Sequence, residues 1–207
     1  MAYSPSYPLL RWRGDRQDAI GTLATAHAAM AEVGGHGRPL ELARPIAHAY
    51  VLRVVAEFQA FARDLHDLTA DRITVLSGAR SDHRPMLKNA ATEGRYLDRG
   101  NADLRSLTND FMRLGIGGLS SKIRVRSRHW SSSANRRGDA AYYADLIELR
   151  NCLAHGNQTQ LAGLRARNVP DTITWTRHRL AGLGRTASAL DRIVWDHLVA
   201  TFETEPW

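Results

Sequence analysis

Arg150, Asn151 and His155 are the residues whose types and spacing point most directly to chemistry. They lie in Leu146-Ile147-Glu148-Leu149-Arg150-Asn151-Cys152-Leu153-Ala154-His155-Gly156. A histidine takes up or releases a proton near neutral pH. A guanidinium grips an anion such as phosphate through paired N–H donors. Asn151 and His155 are four apart, which on a helix puts them on one face. The Asn amide is then placed to fix the orientation and tautomer of the imidazole. Arg150 stands about 140° from His155 around an ideal helix, so its side chain must swing toward the histidine or the last turn must loosen. Ala154 leaves space beside the guanidinium. On spacing alone, an Arg and a His at a helix end fit a solvated cap equally well.

The elements that must hold these residues read as helices. Asp139 looks like the N-cap of the helix that carries Tyr142, Tyr143, Leu146, Ile147, Leu149 and Leu153, with Gly156 as its C-cap. Asp15 to Val33 has helical spacing and stops at Gly34-Gly35. Pro45 suits the first position of a long helix to about Leu76, with Val51, Val54, Val55, Phe58, Phe61, Leu65 and Leu68 as its core stripe. Pro85 opens a helix to about Leu97. Asn101 is placed to cap another through Leu107, Phe111 and Leu114. Thr172 to Thr176 alternates like a short strand or an extended lead-in to a helix. The last helix spans about Thr186 to Glu203. The expected fold class is all-α, a bundle of five or six helices with a basic loop before the motif helix. Residues 1–44 read as a helical extension and 45–207 as the bundle domain.

Composition narrows the function classes. The chain has 207 residues, 43% hydrophobic and 24% charged, which is globular rather than disordered. No run approaches the roughly 20 apolar residues of a membrane span, and the N-terminus lacks an apolar signal core. The single cysteine, Cys152, excludes an internal disulfide and a multi-cysteine zinc site. A cytoplasmic protein with no metal and no cofactor is expected. The net charge is +7, and among 28 basic residues only Lys88 and Lys122 are lysine. Arginine surplus fits a nucleic-acid partner; a GC-rich genome produces the same bias.

The motif resembles that of the HEPN superfamily: Arg150-Asn151, three residues, then His155-Gly156, with Leu149 as flank, on the penultimate long helix of a small α-bundle. Ala56-Glu57-Phe58 through Phe61 and Asp64-Leu65-His66 look like the long first helices of the RiboL-PSP-HEPN-type branch. Gly100-Asn101 leading to Asp110-Phe111 and Leu114-Gly115 is similar too. The resemblance covers about residues 45 to 203. It implies a metal-independent endoribonuclease, often the toxin of a toxin–antitoxin or phage-defence system, that works as a homodimer with two motifs facing one cleft. Arg150 and His155 would be the catalytic pair and Asn151 the orienting residue. RNA supplies its own nucleophile, the 2′-hydroxyl; the histidine moves protons and the guanidinium stabilises the phosphorane-like transition state. The products would carry 2′,3′-cyclic phosphate and 5′-hydroxyl ends. A non-catalytic HEPN-like module that binds RNA, nucleotide or protein is the alternative, and a structural dimerisation bundle a further one.

Other residues deserve a reading. Lys122, Arg124, Arg126 and Arg128 alternate with Ile123, Val125 and Ser127, and no acid lies between Ser121 and Gly138. An extended segment would set the four cations on one edge near the phosphate repeat of a single strand, with His129-Trp130 as a stacking platform. A solvated loop, or a dock for an acidic antitoxin, reads equally. Glu57 and Asp64 share one face of the long helix and would orient Arg150 or His155, or else pair with Arg53 or Arg63. Asp110 and Glu148 are similar candidates. Cys152 reads as core.

Overall fold

The computed structural model describes residues 1–33, 39–127, 129, 132–133 and 136–207. Among these the chain is helical apart from one small antiparallel pair. In order come α1 (Tyr7–Arg13), α2 (Asp15–Val33), α3 (Pro39–Leu76), α4 (Arg84–Thr92), α5 (Tyr96–Arg99), α6 (Leu104–Met112) and α7 (Leu119–Arg126). Then follow β1 (Ser132–Ser133), β2 (Arg136–Arg137), α8 (Asp139–Ala154), α9 (Gln158–Ala166), α10 (Ile173–Arg177) and α11 (Leu180–Phe202). Ser132 pairs with Arg137 and Ser133 with Arg136 just ahead of α8.

The long helix α3 is the spine. Tyr50, Val54, Phe58, Phe61 and Leu65 recur at three and four residues and are buried. Helices α1, α2, α8 and α11 all pack on it. Trp12 of α1 meets Phe58 edge-on at 5.6 Å, and Phe58 meets Tyr143 of α8 at 5.2 Å. Leu9, Trp12 and Ile20 therefore belong to the same core as Leu146 and Leu190. Residues 1–44 and 45–207 share this core, and α3 runs through residue 44. The N-terminus is tied to α11 by buried Asp191, which accepts from Tyr3 Oη at 2.6 Å and from the Ser6 hydroxyl. Burial pushes the Asp191 carboxyl up, while those hydrogen bonds pull it back.

Several local expectations change. Pro39, not Pro45, opens α3, and Pro45 sits inside it; both suit a first turn and the upstream one takes it. Gly34 to Arg38 lie outside the described residues. Asp103, not Asn101, caps α6, its Oδ1 accepting from Ser106 N at 2.7 Å. The region around Pro85 to Leu97 forms two helices, because Asp110 Oδ1 and Oδ2 accept from Tyr96 N and Leu97 N at 3.0 and 2.8 Å and so start α5 afresh. Thr172 caps a helix rather than beginning a strand: its hydroxyl accepts from Trp175 N at 3.3 Å.

Lys122, Arg124 and Arg126 lie on a helix as well, while Arg128 lies outside the described residues. Leu119 and Ile123 are buried at an i, i+4 spacing, and α7 packs on α6 and α11. Val125, which alternation would bury, is 87% exposed. Burial of the apolar pair outweighs the alternation, since an exposed valine leaves a strand reading nothing to gain.

Candidate active site

Helix α8 is placed by its apolar side. Leu146, Leu149 and Cys152 are buried, the last two against Val51 of α3 and Leu161 and Leu164 of α9. A fully buried leucine contributes about 1.5–3 kcal/mol. An exposed ion contributes about 0–1 kcal/mol. The core therefore fixes the helix, and the motif rides on it.

The helix end has a Schellman cap. Asn157 N donates to Cys152 O at 2.9 Å and Gly156 N to Leu153 O at 3.4 Å. Gly156 has φ of +63°, which a side chain disfavours. His155 is the C-cap residue and is exposed. Among the described residues, none is hydrogen bonded to its ring.

Arg150 and Asn151 are half-buried and joined. Arg150 Nη1 donates to Asn151 Oδ1 at 3.2 Å, and Asn101 Nδ2 donates to the same oxygen at 2.6 Å. The expected Asn151–His155 contact is absent: the amide oxygen turns to the guanidinium and to the loop that carries Asn101. Asn151 orients Arg150 rather than the imidazole. Asn101 is the residue that sequence reasoning misassigned. Its position after Gly100 suggested a helix cap, and nothing local shows that it reaches 50 residues along the chain. Its own Oδ1 is buried with no partner among the described residues.

The Asn101 loop is itself clamped. Gln59 Nε2 of α3 donates to Leu97 O at 2.9 Å and Gly100 O at 2.6 Å, and Arg63 Nη2 donates to Leu97 O at 2.9 Å. Asp110, read from sequence as a possible site neighbour, is buried and holds the start of α5. Beside it, buried His66 bonds Asp110 O at 3.1 Å and Arg95 Nη1 at 3.2 Å. Since the arginine donates, Nδ1 accepts and Nε2–H donates. Burial first, and the Arg95 charge with it, lower the His66 pKa and keep it neutral.

Other expected site residues lie elsewhere. Glu57 accepts from Arg16 Nη1 at 2.5 Å and pairs with Arg53 at 2.7 Å. Asp64 accepts from Arg16 Nη2 at 2.7 Å. Both carboxylates thus find their partners on α1, α2 and along α3, not on α8, because Arg16 is buried between them and requires compensation. Glu148 pairs with Arg167 of the segment after α9 at 2.7 Å. Lys122, Arg124 and Arg126 are exposed on α7, but helical pitch sets Arg124 apart from the other two, so no single basic edge forms. Arg126 is ion paired with Asp196 of α11. Arg128 and Trp130 lie outside the described residues. Cys152 is buried, and burial followed by the Glu148 charge pushes its thiol up, so it is inert core.

Among the described residues, no group of three or more His, Cys, Asp or Glu is disposed to hold a metal ion. No described helix is long and apolar enough to cross a membrane. Comparison with protein-family models, with curated proteins and with solved structures gives no match.

Proposed function

We propose that the chain is a HEPN-like, metal-independent endoribonuclease acting through Arg150 and His155. The observation that carries this reading is the Asn101–Asn151–Arg150 chain beside an open His155 at the end of α8. A guanidinium bonded to the Asn151 amide, which Asn101 holds in turn, is oriented before substrate arrives, as transition-state stabilisation requires. An imidazole with no partner among the described residues has both nitrogens open for proton transfer.

In the proposed reaction the RNA 2′-oxygen attacks the adjacent phosphorus as its proton passes to an imidazole. The phosphorus–5′-oxygen bond breaks, and the leaving oxygen takes a proton from an imidazolium. Arg150 stabilises the added charge on the phosphoryl oxygens. One His155 cannot hold both positions at once, so a homodimer that sets two motifs across a cleft completes the site. A toxin restrained by an antitoxin protein, or a phage-defence nuclease, is the biological setting that such an activity suits.

The test is cleavage of total RNA and tRNA by the unaltered protein and by His155→Ala, both in EDTA, with end-group analysis. Cleavage by the unaltered protein alone, leaving 2′,3′-cyclic phosphate ends, is expected. Equal cleavage by both would exclude His155 from the chemistry. If neither cuts RNA, while His155→Ala folds normally, the alternative of a non-catalytic binding module takes over. Expression of the unaltered chain should slow growth more than expression of His155→Ala; equal growth would exclude the toxin role.

A further inference from the structure

One cavity lies away from the motif residues. It is an open groove of about 900 Å³ between α1, α7 and α11. Its walls carry Arg13, Arg126, Arg185 and Arg192, with the exposed ring of His129 beside them. No acidic residue is among its described lining residues. Trp12, Ala181, Gly184 and Ala189 give it an apolar floor.

The charge in the groove is only partly compensated. Arg126 and Arg192 share one carboxylate, Asp196, and Arg185 is held bidentately by Asp139 at 2.7 and 2.8 Å. Arg13 has no carboxylate partner among the described residues; it donates to the Ser188 hydroxyl at 3.2 Å. Four guanidiniums thus face two carboxylates. A second observation is independent of charge. Ser127 lines the groove, is 6% exposed, and its hydroxyl has no partner among the described residues. A buried hydroxyl left unpaired costs stability, so it marks a place where a ligand atom completes the structure.

We propose that this groove seats the backbone of a single-stranded nucleic acid. Guanidiniums on opposite walls pair with successive phosphates, and Asp196, shared by two arginines, can surrender one of them to a phosphate. The Ser127 hydroxyl donates to a phosphoryl oxygen. The apolar floor takes ribose carbons and the His129 ring a base face. An acidic protein segment would meet the same charge but would leave the base platform unused. That the natural strand is RNA rests on the ribonuclease reading; the fit to a phosphodiester strand does not.

The experiment is fluorescence anisotropy on the full chain with a labelled 2′-O-methyl RNA of about 12 nucleotides and a DNA of the same sequence. Neither offers a 2′-hydroxyl, so neither is cut and binding is read without cleavage. Arg13→Gln/Arg126→Gln should weaken binding at least about tenfold near physiological salt. It should also flatten the slope of log affinity against log salt by about 1.4, at about 0.7 per phosphate contact. Ser127→Ala should weaken binding about 2- to 10-fold without lowering the melting temperature, since it removes a hydroxyl that has no partner among the described residues. Arg80→Gln/Lys88→Gln, which removes two cations elsewhere on the surface, should change little.

Equal loss in that control pair would reduce the groove to general surface charge and overturn the proposal. So would unchanged binding in both groove variants, absence of binding by the unaltered protein, or displacement of RNA by poly-glutamate as effectively as by unlabelled strand. Binding of DNA as tight as RNA supports the groove and removes RNA preference. Tight groove binding together with no cleavage under any condition would sink the ribonuclease reading and leave the groove standing.

Discussion

Asn101→Ala separates a positioning role from a bracing one. The substitution removes the Nδ2 donor 2.6 Å from Asn151 Oδ1 and leaves Arg150 Nη1, at 3.2 Å, as that oxygen's described donor. One such hydrogen bond contributes about 0.5–1.5 kcal/mol net. Against this loss stands a gain, because the substitution also deletes the Asn101 Oδ1, a buried acceptor with no partner among the described residues. The net stability change should stay below about 1 kcal/mol, a melting shift of at most about 2–4 °C for a chain of this size. The catalytic loss should exceed that. If the hydrogen bond is felt in the transition state through Arg150, about 0.5–1.5 kcal/mol corresponds to a fall of about 2- to 12-fold in kcat, with KM little changed. Arg150→Ala should cost about 100-fold or more. Asn101→Asp sharpens the test. Its new carboxylate faces the Asn151 oxygen, and turning the Asn151 amide over would instead aim its NH2 at the Arg150 donors. It should therefore lower kcat more than Asn101→Ala does. The assay is single-turnover cleavage of a labelled RNA beside thermal melts of the same preparations. A melting loss of many degrees with kcat intact would refute the positioning argument and make Asn101 a loop brace.

Acid should weaken the fold before the carboxylates titrate. His66 and His197 both have folded pKa values lowered by burial, the Arg95 and Lys122 charges adding to it. The folded state then binds fewer protons than the unfolded chain below the ordinary histidine value of about 6.5. Stability is thus full above that value and is lost as pH falls toward the folded pKa. The melting temperature should drop from about pH 7.5 to about pH 5, and less so in His66→Gln; an unchanged pH profile in that variant would show that His66 is not the source. Gly156→Ala should destabilise by about 1–2 kcal/mol, since φ of +63° is unfavourable for alanine. Denaturant melts read this directly, and a neutral result would mean that the cap rearranges freely.

Much of the helical framework is legible in the residues. The spacing of Val51, Val54, Phe58, Phe61 and Leu65 gives the spine, and α2 is helical over Asp15–Val33 as its spacing predicts. The extent of the motif helix and its glycine stop are anticipated from its apolar stripe and Gly156, but its N-cap is Gly138: Asp139, read as the cap, is the first helical residue and its carboxylate accepts from Arg185 instead. The basic segment misleads because Lys122 to Arg128 satisfies period two in letters. What decides it is Leu119 and Ile123 meeting α6 and α11, elements whose arrival no short window contains.

The sequence by itself determines which faces are apolar, where the long helices run and that Arg150, Asn151 and His155 sit at a helix end. Tertiary structure alone decides whom the polar groups meet. It gives Glu57 and Asp64 to Arg16 and gives Asn151 to Arg150 and Asn101. It also brings residues 13, 126, 185 and 192 to one groove. The reason is physical. An apolar stripe must be covered by something, and periodicity records the need without naming the partner. A buried charge or amide is paired by whichever element the packing of those stripes brings within about 3 Å.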